Sequence, residues 1–82
     1  MNFYTYIIFS EKLDKYYIGH TNSLDRRILE HNSGFSKSTK TGVPWKIVFS
    51  KSFNLKSEAF NFERKIKSMK SRKFIIDLIN SQ

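Results

Sequence analysis

The 82-residue chain contains no cysteine. Disulfide staples, thiolate metal sites and cysteine nucleophiles are therefore excluded. Acidic residues are scarce, with 7 Asp and Glu against 15 Lys and Arg, a formal charge of +8. A metal cage of several carboxylates is hard to build from so few acids. His20 and His31 lack the H-x-x-x-H spacing of a zinc site. No G-x-x-x-x-G-K or G-x-G-x-x-G loop is present, and neither a Ser-His-Asp arrangement nor an internal repeat can be found. The apolar run at the start, FYTYIIF, is too short to span a bilayer and follows no basic leader. The expectation is a cytoplasmic protein with no membrane partner.

What is present is basic and aromatic. Aromatic residues make up 16% of the chain. One domain of this size buries only about 60% of its unfolded surface, so a core rich in Phe, Tyr and Ile is needed. The positive excess suggests a polyanionic partner, nucleic acid first. It is concentrated in RKIKSMKSRK (64–73), which holds six of the fifteen basic residues. The bland reading of such a run is a solvated helix face. Its single sign makes it self-repelling without a partner.

Residues 3–9 (FYTYIIF) and 15–20 (KYYIGH) read as two strands of a hairpin joined by the polar turn SEKLD. TNS (21–23) supplies helix N-caps. Leu24, Ile28 and Leu29 then form a helical stripe that stops near Gly34. Residues 33–44 read as a loop, and 45–53 (WKIVFSKSF) as a third strand with rough alternation. KSEAFNFERKIKSM (56–69) predicts a helix capped by Ser57, with Ala59, Phe62, Ile66 and Met69 inward. After a break near Ser71, residues 73–80 predict a last helix that buries Phe74, Ile75, Leu78 and Ile79. The order β-β-α-β-α-α implies one α+β domain over residues 1–82. Strand three should join the hairpin, because two strands alone are too weak.

Candidate chemistry collects between residues 6 and 31. Arg27 and His31 are four apart and share a helix face. Arg26 and Glu30 have the spacing of a surface ion pair. Arg27 could grip a phosphate through its planar fork, or could simply be exposed. Tyr4 and Tyr6 share one face of the first strand, whereas Tyr16 and Tyr17 must point to opposite faces of the second. Tyr6 and Tyr17 read either as core packing or as site residues. Glu63 borders an apolar stripe. There it either pairs with Lys67 one turn on or anchors Mg²⁺, which keeps several waters and borrows phosphate oxygens.

Taken together, these stretches resemble the GIY-YIG nuclease domain of the small stand-alone bacterial kind, over nearly the whole chain. Tyr4-Thr5-Tyr6 stands for the first motif and Tyr17-Ile18-Gly19 for the second. NSLDRRILEHNSG resembles the stretch with the family's arginine, which falls on Arg27. SEAFNFERKIK resembles the helix with its metal-binding glutamate, which falls on Glu63. The resemblance implies a three-stranded sheet flanked by helices. It also implies a DNA endonuclease using one Mg²⁺ or Mn²⁺, of the kind at work in DNA repair. Glu63 would hold the metal, and Arg27 would stabilise transition-state charge. Tyr17 would act as or orient the general base, Tyr6 would bond within the network, and His31 would support the nucleophile. Whether Tyr17 or His31 takes the proton stays open.

His20 stands where many members carry Lys and would contact phosphate. Arg26, Lys37, Lys40, Lys65, Lys67, Lys70, Arg72 and Lys73 are the further candidates for nucleic-acid contacts. The expected partner is DNA, branched or damaged forms included. RNA stays open, as does a protein partner that supplies specificity. The alternative reading is a nucleic-acid-binding module with weak or no catalysis.

Overall fold

A computed structural model describes residues 2–82. It contains β1 (Phe3–Ser10), β2 (Lys15–Thr21), α1 (Leu24–Asn32), a short 3-10 turn (Lys40–Gly42), β3 (Trp45–Phe53), α2 (Lys56–Met69) and α3 (Arg72–Asn80). The β-β-α-β-α-α order expected from the sequence is present. The strands form one antiparallel sheet in the order β2-β1-β3, so the third strand joins the hairpin on the far side of β1.

The central strand explains the layering. Alternation sends Tyr6 and Ile8 to one face, where they meet Trp45, Tyr17, Leu24 and Ile28. It sends Ile7 to the other, where Ile18, Phe49 and Ile66 pack with Phe62, Phe74, Ile75, Leu78 and Ile79. Helix α1 thus covers one face, and α2 with α3 covers the other. On the second face Thr5 Oγ1 donates to the carbonyl of Ala59 at 2.7 Å, tying the strand to α2. The imperfect alternation of β3 has a specific cause. Ile7 pairs with Phe49 but Ile8 pairs with Ile47, so Val48 is an extra residue in a bulge. The bulge lets Trp45 and Phe49 serve opposite faces despite their even spacing.

Helix ends follow local chemistry. Ser23 Oγ accepts the N–H of Arg26 and starts α1. Gly34, at φ +84°, ends it, and the N–H of Phe35 reaches back to the carbonyl of Glu30 at 3.3 Å. Ser71 Oγ accepts the N–H of Phe74 and starts α3. For α2 the sequence points to Ser57 as the cap, but Leu55 is the boundary residue. The carboxylate of Glu58 accepts the Leu55 N–H at 3.1 Å. A reaching Glu three residues on satisfies that end without a hydroxyl.

Two residues expected inward point outward. Leu29 is exposed because the buried row of α1 runs Leu24, Ile28, His31, and Leu29 lies about 100° away from Ile28. Met69 is exposed at the last turn of α2, beyond the sheet contact centred on Ala59 and Ile66. The 33–44 loop is anchored at several points. Asn32 clamps Trp45 through its backbone N–H (2.6 Å) and carbonyl (3.0 Å), the Trp45 indole N–H bonds the Thr39 carbonyl at 2.6 Å, and Ser10 Oγ bonds the Gly42 carbonyl at 2.6 Å.

This packing sets unequal costs along α2. Ile66→Ala should destabilise the domain by about 2–5 kcal/mol in urea titrations, because it opens a cavity in a filled core. Met69→Ala should stay within about 0.5 kcal/mol.

Candidate active site

The α1 face of the sheet is built around an absent side chain. Gly19 pairs with Tyr6 across β1 and β2, and the Tyr6 ring lies over it. A Cβ at Gly19 would come within 2.6 Å of Tyr6 Cζ, far inside van der Waals contact. The glycine is therefore required by the tyrosine that rests on it. From that position the Tyr6 hydroxyl meets His31 Nε2 at 2.9 Å, and His31 Nδ1 meets Thr39 Oγ1 at 2.8 Å. Thr39 in turn reaches the Ser36 carbonyl. That direction makes Thr39 a donor to Ser36, so its oxygen accepts from His31 Nδ1–H and Nε2 accepts from Tyr6.

Burial supports this assignment. His31 is 0% exposed. Burial first, and then the nearby Arg27 charge, pull its pKa down to about 4, with Glu30 opposing. Burial pushes the Tyr6 hydroxyl up to about 12, with Arg27 pulling back and Tyr17 and Glu63 adding to the rise. Tyr6 is thus a neutral donor and His31 a neutral acceptor at pH 7. Tyr17 lies half-buried on the same face, its ring edge against His31 at 5.1 Å and Trp45 at 6.4 Å. Both His31 nitrogens are engaged, Nε2 by Tyr6 and Nδ1 by Thr39, and its ring edge also meets Tyr17, so it stands behind both tyrosines.

Arg27 bonds Glu30 at 2.9 Å through Nη1. Burial disfavours its charge, but Glu30 and the Tyr6 hydroxyl outweigh that and hold its pKa above the usual value. The ion pair expected for Arg26 and Glu30 therefore belongs to Arg27. Arg26 turns instead to Asn22 Oδ1 at 2.9 Å and Thr21 Oγ1 at 3.4 Å. Both arginines line a cleft of about 380 Å³ with Phe3, His20, Thr21, Asn22, Glu30 and Lys56.

Glu63 enters from α2. It is buried, at 7% exposure. Its Oε1 meets His20 Nδ1 at 2.5 Å and its Oε2 meets Lys67 Nζ at 2.6 Å. His20 is thereby a wall of the cleft and the link from the cleft to Glu63. Among the described residues no group of three His, Cys, Asp or Glu could hold a metal ion. The donor chemistry still fits one hydrated divalent ion: a hard carboxylate oxygen beside a cleft open to phosphate oxygens and water. Lys67 is half exposed, so its ammonium is free to swing away from Oε2.

The sequence of the chain matches the model of the GIY-YIG catalytic domain over residues 2–74. The chain belongs to the GIY-YIG catalytic domain family. It is 38% identical over 74 residues to the UPF0213 protein BH0048 of Halalkalibacterium halodurans, covering 89% of this chain and 78% of that one. The UPF0213 protein YazA of Bacillus subtilis is 36% identical over 63 residues, covering 76% and 64%. The solution NMR structure of the UPF0213 protein BH0048 from Bacillus halodurans superposes with a TM-score of 0.63 at 34% identity, covering 100% of this chain and 86% of that one. A GIY-YIG domain implies a nuclease family whose members generally use a divalent metal.

The basic candidates are dispersed over this GIY-YIG domain. Arg26 and His20 line the cleft. Lys67 is held on Glu63. Lys37 and Lys40 are exposed on the 33–44 loop, and Lys65 on the outer side of α2. Arg72 is bound to Asp14 at 2.6 Å, in the hairpin turn at the opposite end of the sheet from Phe3 and Thr21, with exposed Lys70 and Lys73 as its chain neighbours. Sequence reasoning missed Thr39, which completes the His31 chain, and Lys56, Phe3 and Asn22 in the cleft wall. Lys56 carried a signal, since it lies two helical turns before Glu63 and so on its side of α2.

The neutral, buried His31 makes a pH prediction. The unfolded chain takes up a proton near the ordinary histidine pKa of about 6.5. The folded form resists until about pH 4. Unfolded protein therefore binds more protons in that window, and stability falls as pH drops from about 6.5 to about 4. Urea midpoints measured across this range should show a shallower decline in His31→Gln, and the His31 ring NMR signals should stay unshifted down to about pH 4.

Proposed function

We propose that this GIY-YIG domain is a divalent-metal-dependent endonuclease that hydrolyses DNA phosphodiesters without sequence specificity or with specificity for structure. The observation that carries the reading is the placement of Arg27, His20 and the Glu63 linked to it around one cleft, with Tyr6 and Tyr17 behind. In hydrolysis a water oxygen bonds to phosphorus, one bridging P–O bond breaks, and the water proton leaves. Arg27 gives one N–H to Glu30 and keeps the rest of its fork for the phosphate oxygens, where negative charge grows. Tyr17 is the candidate to orient the water and take its proton. Tyr6 stays protonated with its one proton directed at His31, so it offers the site only the lone pairs of its oxygen, as an acceptor. His20 and Arg26 bind phosphate at the cleft wall.

Glu63 would hold the Mg²⁺ or Mn²⁺, which when bound polarises the phosphoryl oxygen and stabilises the leaving group. Lys67 releases the carboxylate in that state. Specificity would come from substrate shape or from a protein partner. A cytoplasmic setting and a role in DNA repair are part of this reading. A second reading has one observation in its favour: both Glu63 oxygens are already paired, with His20 and Lys67. On that reading the chain binds nucleic acid, RNA included, and cuts weakly or not at all.

Incubation with labelled plasmid, flap and single-stranded DNA in Mg²⁺, Mn²⁺ or EDTA separates the two. The nuclease reading expects metal-dependent cutting that falls at least about 100- to 1000-fold in Glu63→Gln and Arg27→Ala, with DNA affinity largely kept. Salt-sensitive binding with no cutting under any metal would favour the binding module. In that case charge reversal at Lys65, Lys67, Lys70 and Lys73 would do the greater harm.

A further inference from the structure

The inward residues of α2 are Ala59, Glu63 and Ile66, with Phe62 half-buried beside them. Phe60 is not among them. It is 41% exposed, on a helix where an outward phenylalanine gains nothing from the core. Its neighbours are cations and a flat ring. Arg64 sits 5.7 Å from its centroid, and the His20 ring meets it edge-on at 5.2 Å. Lys56, Phe60 and Arg64 follow at four-residue spacing on α2, each exposed and neighbouring the next, in the order cation–aromatic–cation. Lys56 and His20 both line the cleft, which places Phe60 at its rim. A separate shallow hollow lies on α2, lined by Asn61, Arg64, Lys65 and Ser68.

We propose that Phe60 is a stacking platform for an unpaired nucleobase next to the cleft, giving the domain a preference for single-stranded DNA segments. A single strand needs a basic track for its backbone and an aromatic face for its bases. Lys56, Arg64 and Lys65 supply the track, and Phe60 supplies the face. A base inside a duplex is stacked on both sides and offers no face to the ring, so Phe60 contributes only where the strand is open. The flat His20 ring, pinned by Glu63, holds Phe60 from one edge and fixes where the base sits relative to the cleft. The inference rests on the nuclease reading for the site, and names the substrate class of that site.

The test is binding in EDTA, so that it is independent of cleavage. Fluorescence anisotropy would follow a labelled single-stranded oligonucleotide and the same sequence as a duplex, against wild type, Phe60→Ala, Phe60→Leu and Phe60→Trp. Circular dichroism would check that each variant folds. The expected result is a loss of about five- to hundredfold for the single strand in both Phe60→Ala and Phe60→Leu, the range one stacked base spans. Duplex affinity and the salt slope should be unchanged, since no phosphate contact is removed. Phe60→Trp should keep the affinity, and its emission should be quenched by the single strand more than by the duplex. Equal losses on both substrates, or wild-type affinity in Phe60→Leu, would overturn the proposal and leave Phe60 as packing for His20. Wild-type protein that binds neither substrate would overturn the nucleic-acid reading itself. Wild-type binding with no metal-dependent cutting would overturn only catalysis.

Discussion

The bond from the Tyr6 hydroxyl to His31 Nε2 is the constraint around which the site is arranged. It joins the central strand to α1, across 25 residues of chain, in a region closed to water. A buried hydroxyl and a buried imidazole are each costly alone and acceptable together. The bond decides what Gly19 must be, because the ring that makes it lies where a side chain would stand. It draws in Thr39 to satisfy the other nitrogen, and through Thr39 the 33–44 loop and the Trp45 indole. The strand pair, the helix and the loop are thus held in one geometry by a short chain of polar groups inside an aromatic shell.

That geometry divides the protein's polar residues by work. On the α1 face the charges are neutralised or engaged, with His31 neutral, Tyr6 protonated and Arg27 on Glu30. On the α2 face a single buried carboxylate, Glu63, sits between a histidine and a lysine. The two sets meet at the cleft because His20 and Gly19 are successive residues of an edge strand and point to opposite sides. The tyrosine face and the carboxylate face therefore come together only where β2 ends. The small size of the domain makes this economical: one edge strand serves both layers.

The element order is legible in the residue pattern alone, as are the two-faced tyrosine pair, the caps at Ser23 and Ser71 and the stop at Gly34. Each depends on period or on a local side chain. The pairing of Arg27 rather than Arg26 with Glu30 is not legible there. Both spacings suit a helix, and only the position of α1 on the sheet selects one. The Ser57 cap fails because Glu58 can reach the same helix end. Hydrophobicity places Leu29 and Met69 inward, but a polar histidine takes the buried row of α1, and Met69 falls beyond the sheet contact of α2.

The sequence by itself determined that this is a small, basic α+β domain with Tyr6, Tyr17, Arg27, His31 and Glu63 at spacings that can converge. Strand alternation and helical period are local properties, so the chain carries them in its order of residues. Only the tertiary structure decided which groups share protons and charge: that His31 serves Tyr6, that His20 binds Glu63, that Lys67 covers its other oxygen, and that the 64–73 run reaches past the cleft to the hairpin turn. Those outcomes depend on distances of a few ångströms between residues far apart in the chain. Burial, which sets the protonation of His31 and Tyr6, exists only once the layers have closed.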